Sequence, residues 1–164
     1  MAKISETQKL MPSIIDRLID LKPDESKELP LSRGQVMREL KESVRRDLEN
    51  LLNTRWRCTD WPPELEELNI SLANYGIPDF TGSRLSSERD KEEFRRTIER
   101  IVRHFEPRFK TVTVKLLENV ESMDRTLRFR VDALLYAEPA PEPVVFDTAV
   151  EPATGSFLVK GAAR

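Results

Sequence analysis

Residues Ser87 to Lys110 read SERDKEEFRRTIERIVRHFEPRFK: a polar start, a charged amphipathic run and an abrupt Glu106-Pro107-Arg108 stop. Phe94, Ile98, Ile101, Val102 and Phe105 fall at i, i+4, i+7, i+8 and i+11, which lines them up as one apolar stripe on a helix. Ser86 or Ser87 is placed to cap the first free N–H groups. Glu88 and Asp90 lie in the first turn, where the positive end of the helix dipole favours carboxylates. Pro107 lacks an N–H and disfavours helical geometry at Glu106, so the helix ends near Phe105 and the chain leaves extended.

Beyond this helix the hydrophobic period changes from 3.6 to 2. Val112, Val114 and Leu116 share one face of FKTVTVKLLE, and Leu127, Phe129, Val131, Ala133 and Leu135 share one face of DRTLRFRVDALLYAE. These are two half-buried strands, with Asn119 to Asp124 as the turn and antiparallel pairing as the simplest topology. The proline-rich AEPAPEP stretch reads as a loop. Val144, Val145 and Phe146, then Phe157, Leu158 and Val159 around the Ala153-Thr154-Gly155 turn, predict a further hairpin.

Upstream, Ser32 and Gln35 form a Ser-x-x-Gln capping box ahead of a long helix with Val36, Met37, Leu40, Val44, Leu48, Leu51 and Leu52 on one face. Its charged residues, Arg38, Lys41, Arg45 and Arg46 against Glu39, Glu42, Asp47 and Glu49, read as a solvated face with pairs four residues apart. Between the two long helices, Trp56, Trp61 and Pro62-Pro63 precede LNISLANYGIPDFTG. There Leu68, Leu72 and Tyr75 predict a short helix ended by Gly76, and Asp79 reads as a turn residue. Nearer the start, Leu10, Ile14, Ile15, Leu18 and Ile19 share a face behind Ser13, a plausible cap. So short a helix is marginal in water unless that face is covered, so folding back and docking onto another chain both stay open.

Helices first and a three- to four-stranded, mainly antiparallel sheet afterwards make an α+β fold. The expected division is an N-terminal segment and linker over 1–31, one α+β domain over 32–160 and a tail over 161–164. Charged residues make up 34% of the chain, which favours a partner-rich surface, and they nearly cancel at a formal charge of −2, leaving no net field for nucleic acid. A single cysteine, Cys58, forms no internal disulfide. No secretory leader pattern opens the chain and no apolar run approaches the roughly 20 residues that span a bilayer, so a cytoplasmic location without membrane insertion is expected.

The sequence holds no glycine-rich phosphate loop, paired-cysteine metal spacing or nucleophile elbow, and no cofactor or metal is expected. His104, the only histidine, sits in the last helical turn, where a cation favours the dipole, and reads as structural rather than as a proton-transfer group. The Glu106-Pro107-Arg108 turn is the sharpest local signal. In an extended stretch, side chains at i and i+2 project to one side, placing a carboxylate beside a five-donor fork. A glycosidase acid needs a raised pKa and a second carboxylate, whereas a neighbouring arginine stabilises the anion.

SIIDRL near the start, LKESVRRDLENLLNTR, NYGIPDFTG and HFEPRFKTVTV followed by strands together resemble the type VI secretion baseplate subunit family TssE. That family is similar to the small wedge protein of contractile phage tails, often labelled lysozyme-like. The resemblance covers most of Pro12 to Ala137. It implies a non-enzymatic structural subunit that joins the TssF-TssG wedge with TssK nearby, anchors or seeds the TssB-TssC sheath, and sits in the baseplate at the cytoplasmic side of the inner membrane. It also implies an assembly role for Glu106, Pro107 and Arg108. On this reading those residues bind the TssF-TssG core, Ile14, Ile15, Leu18 and Ile19 supply a second contact, and an open edge of the sheet pairs with a sheath strand. A lysozyme-like glycosidase and a soluble regulatory adaptor are the alternatives.

Overall fold

The computed structural model describes residues 14–18, 32–56, 62–79, 87–117, 126–137, 140–150 and 154–161. Among them α1 is Ile14–Leu18, α2 Arg33–Asn53 and α3 Glu88–Phe105, followed by β1 Phe109–Leu117, β2 Arg128–Leu135, β3 Glu142–Val150 and β4 Phe157–Gly161. The fold is α+β, as the change of hydrophobic period predicts.

Each long helix starts on a serine. The Ser32 hydroxyl accepts from the Gln35 amide and the Gln35 side chain accepts in return from the Ser32 amide, so the capping box satisfies two donors reciprocally. Ser87 accepts from the Asp90 amide at 3.1 Å at the head of α3. The four strands form one antiparallel sheet in sequence order, β1-β2-β3-β4, each paired with its chain neighbour. One face of the sheet packs under the helices, α3 along β1 and α2 along β4.

Core residues come from the apolar stripes. Val44, Leu48 and Leu52 of α2 and Phe94, Ile98 and Val102 of α3 meet Val114, Phe129, Val131, Leu135, Phe146 and Val159 of the sheet. Phe129 receives Phe94 edge-on at 5.8 Å between ring centroids and Phe157 at 6.1 Å, joining α3, β2 and β4. Burying one such side chain contributes roughly 1.5–3 kcal/mol. The opposite face is open and polar: Lys115 pairs with Asp132 at 2.7 Å, and Arg130 with Asp147 across the β2–β3 register.

Several expectations need correction. Leu68, Leu72 and Tyr75 do not share a helix: two 3-10 turns, Glu66–Ile70 and Leu72–Asn74, take their place, and Leu72 is 82% exposed. The proline-rich segment yields its last two residues to β3, because Glu142 and Pro143 pair with Leu135 and Leu134. Pro143 turns its nitrogen away from β2, on the side where β4 pairing has already ended at Phe146, so no ladder bond is lost. The sheet edges are not bare either: α3 side chains bond outward backbone groups of β1, and α2 side chains bond those of β4. Leu10, Ser13, Ile19, Cys58, Trp61 and the 119–124 turn lie outside the described residues.

Among the described residues, one buried polar group is unsatisfied. Thr148 on β3 is buried and its hydroxyl has no hydrogen-bond partner. Thr148→Val keeps the shape and removes the stranded polar group, so it should raise unfolding stability by roughly 1 kcal/mol in urea titrations. A loss of stability would show that the hydroxyl does useful bonding.

Candidate functional site

The site grows from the end of α3. The Glu106 amide still donates to Val102 O at 2.9 Å, closing the helix, while the Phe109 amide donates to Glu106 O at 3.2 Å and makes the turn. The Tyr136 amide then donates to Arg108 O at 2.9 Å, tying the turn to the end of β2. The backbone is therefore bonded on both sides of Pro107, and Glu106 points inward with only 5% of its surface exposed.

A buried carboxylate requires a charged partner, and Arg108 is that partner. Its Nε donates to Glu106 Oε1 at 2.6 Å, its Nη2 makes a short bond to Oε2, and its backbone amide donates to Oε1 at 3.2 Å. The same guanidinium reaches α2: Nη2 donates to Asp47 Oδ2 at 2.6 Å and Nη1 to Ser43 Oγ at 3.1 Å. Burial alone would lower the Arg108 pKa, but the bonds and charge of Glu106, then of Asp47, outweigh it and hold the pKa above its ordinary value.

Ser43 passes the connection on. It accepts from Arg108 and donates to Asp16 Oδ2 at 2.6 Å, using a hydroxyl in both senses. Arg46 Nη2 donates to Asp16 Oδ1 at 2.6 Å and lies 3.3 Å from Asp47 Oδ1. One chain of charge-assisted bonds thus runs from α1 through α2 to the α3–β1 corner.

The NYGIP segment closes on the same corner. Tyr75 packs edge-on against Phe105 at 5.2 Å, and burial, reinforced by the negative charges of Asp47 and Glu106, pushes its phenol pKa up against the opposing pull of Arg108. Gly76 has φ +115°, and a Cβ there would lie 2.5 Å from the Thr54 carbonyl oxygen. This close approach lets the Ile77 amide donate to Thr54 O at 2.9 Å and the Trp56 amide to Ile77 O at 3.1 Å.

The structure gathers some predicted residues and separates others. Glu106 and Arg108 form the directional pair expected of them, but across a turn closed by the Phe109 amide on Glu106 O rather than along an extended stretch; the pair is engaged with the chain's own α2, and Pro107 is exposed at the turn. Ile14, Ile15 and Leu18 project to solvent at 76, 65 and 78% exposure, while Asp16 on the same short helix holds it to α2. Thus α1 folds back through its polar side and leaves its apolar side uncovered. His104 stacks edge-on against Phe105 in the last turn of α3. Both oxygens of Glu106 accept from Arg108.

Sequence reasoning missed Asp16, Ser43, Arg46, Asp47 and Tyr75 as members of this network. The α2 face read as solvated is partly a contact face: Lys41 reaches Glu142 on β3 at 2.9 Å, and Arg46 and Asp47 belong to the network. A signal was present. Ser43 and Asp47 are four apart and flank the Leu40, Val44, Leu48 stripe, so both face the boundary between core and solvent.

Arg108→Ala leaves Glu106 buried with a single backbone N–H, and should cost on the order of 3–5 kcal/mol in urea unfolding. Glu106→Ala should cost less, because Arg108 keeps Asp47 and Ser43 and part of its side chain meets water. Equal losses would contradict this ordering. Gly76→Ala should lower stability by at least about 1–3 kcal/mol from backbone strain, measured as a lower melting temperature; an unchanged melt would show that the Thr54 contact is not needed.

A family model described as baseplate wedge protein gp25 matches residues 38–140, from early α2 through β2 and into the loop beyond it. This span takes in Ser43, Asp47, the Tyr75-Gly76 turn and the whole Glu106-Pro107-Arg108 corner. No curated protein and no solved structure matches. Because the matched span covers well over half of the sequence and contains the corner and most of the elements that build it, the chain belongs to the baseplate wedge protein gp25 family.

Proposed function

We propose that this protein is a structural baseplate subunit of a type VI secretion machine, joining the TssF-TssG wedge close to TssK and anchoring or seeding the TssB-TssC sheath on the cytoplasmic side of the inner membrane. Membership of the baseplate wedge family supports the baseplate role. The observation that carries the mechanism is the posture of α1. Asp16 fastens it to Ser43 and Arg46, while Ile14, Ile15 and Leu18 face outward. Three large apolar side chains held in water on a five-residue helix gain little until a partner covers them.

In this reading the Glu106-Pro107-Arg108 corner acts in assembly by holding a surface. Arg108 fixes Ser43, Ser43 fixes Asp16, and Asp16 sets the angle at which the apolar residues of α1 are offered. Pre-setting that angle lowers the ordering cost of association, so loss of the bracket weakens binding even though its charges already have internal partners.

Co-expression with TssF and TssG tests the reading. Ile15→Asp/Leu18→Asp places charges on the exposed face and should reduce recovery of the ternary complex at least tenfold with an unchanged melting temperature. Asp16→Ala should reduce recovery by a smaller factor and abolish few sheaths in cells imaged with a fluorescent TssB. Undiminished recovery of the double variant would overturn the role of α1, and a subunit that never co-purifies with TssF-TssG would overturn the proposed function.

A further inference from the structure

Both outer strands of the sheet are bonded by helix side chains in the same pattern. On β1, Glu99 Oε2 accepts from the Val114 amide at 3.1 Å and Arg95 Nη1 donates to the Val114 carbonyl at 3.3 Å. Four residues on, Arg103 Nη2 donates to the Val112 carbonyl at 3.1 Å. On β4, Glu49 Oε1 accepts from the Val159 amide at 3.4 Å and Arg45 Nη1 donates to the Val159 carbonyl at 3.2 Å. Four residues on, Asn53 accepts from the Phe157 amide at 2.8 Å and donates to the Phe157 carbonyl at 2.9 Å.

The repetition has a geometric cause. Four helical residues rise about 6 Å and two strand residues advance about 6.6 Å. A helix laid antiparallel beside a strand therefore meets its outward backbone groups with every fourth side chain: 45, 49 and 53 against β4, and 95, 99 and 103 against β1. Within each set the arginine and glutamate are also paired, both at 2.7 Å, which fixes the two side chains that grip one residue. No turn or core requirement places a charged pair on these backbone groups twice. An outer strand with free N–H and C=O groups, by contrast, is a template for another chain.

We infer that these two side-chain sets are edge guards, which keep the sheet from pairing edge to edge with a second copy of this chain. An incoming strand has to break the charge-assisted bonds, separate a bound ion pair and desolvate both charges before it gains its own ladder. The occupant is another copy because every molecule in solution carries the same two edges, so exposure of either would favour self-association before any other encounter. The inference is independent of the machine in which the subunit serves.

Sedimentation velocity over a range of concentrations tests it, with circular dichroism and thermal melts run alongside. The natural chain should sediment as a monomer. Arg95→Ala/Glu99→Ala/Arg103→Ala opens the β1 edge and should associate at least tenfold more strongly, with the Val114 amide exchanging quickly in dilute solution and slowly once associated. Arg103→Ala alone removes an exposed side chain with its bonds to the Val112 carbonyl and to Glu99, and should strengthen association about threefold with the native melt retained. A triple variant that folds and stays monomeric overturns the inference. Should the triple variant lose its cooperative melt, Arg103→Ala decides: association indistinguishable from the natural chain overturns it. A natural chain that already dimerises through β1 overturns it as well.

Discussion

The structure depends on a buried carboxylate that cannot be left alone. Glu106 is driven inward where α3 turns into β1, and in a low-dielectric setting an unpaired charge there would cost several kcal/mol. Arg108, two residues on, answers it with two side-chain bonds, and the remaining donors of the guanidinium are directed to Ser43 and Asp47. The proline between acid and base stands in the turn that the Phe109 amide closes on Glu106 O, and that turn keeps the pair in reach. The need to neutralise one anion thereby fixes the relation of helix, sheet and second helix, and through Ser43 it reaches the first.

That arrangement separates two uses of charge. Pairs on the open sheet face, such as Lys115 with Asp132, are exposed and screened, so they shape the surface more than they stabilise it. The corner network works in partial burial, where removal of one member leaves others stranded. The guards along β1 and β4 lie between these limits: their carboxylate and guanidinium groups meet both water and backbone, so they bind without joining the core.

Much of the fold was legible because it rests on periodicity. The stripe from Phe94 to Phe105, the alternation from Val112 to Leu135 and the serine caps correspond to observed elements. The Leu68 to Tyr75 segment misled because its apolar spacing suits a helix, while the glycine contact with Thr54 and the packing of Tyr75 on Phe105 hold it in tighter turns. At the site, the Glu106 and Arg108 pair could be read from adjacency. Its partners could not, because Ser43 and Asp47 are more than sixty residues away, and on a charge-rich helix nothing local separates a solvated aspartate from a bridging one. The edge contacts were hidden for the same reason: an Arg-x-x-x-Glu pair reads as an ordinary helix pair until a strand is seen beside it.

The meander order of the sheet has a kinetic side. Each strand meets its neighbour across a short stretch of chain, and α3 meets β1 directly, so these pieces can form with little loop to close. The joint between α2 and β4 is different, since Asn53 bonds Phe157 across 104 residues. Closing a flexible loop of that size costs roughly 4 kcal/mol before any contact rewards it. The meander with α3 is therefore expected to form first, with the docking of the long helix α2 against the last strand as the later step.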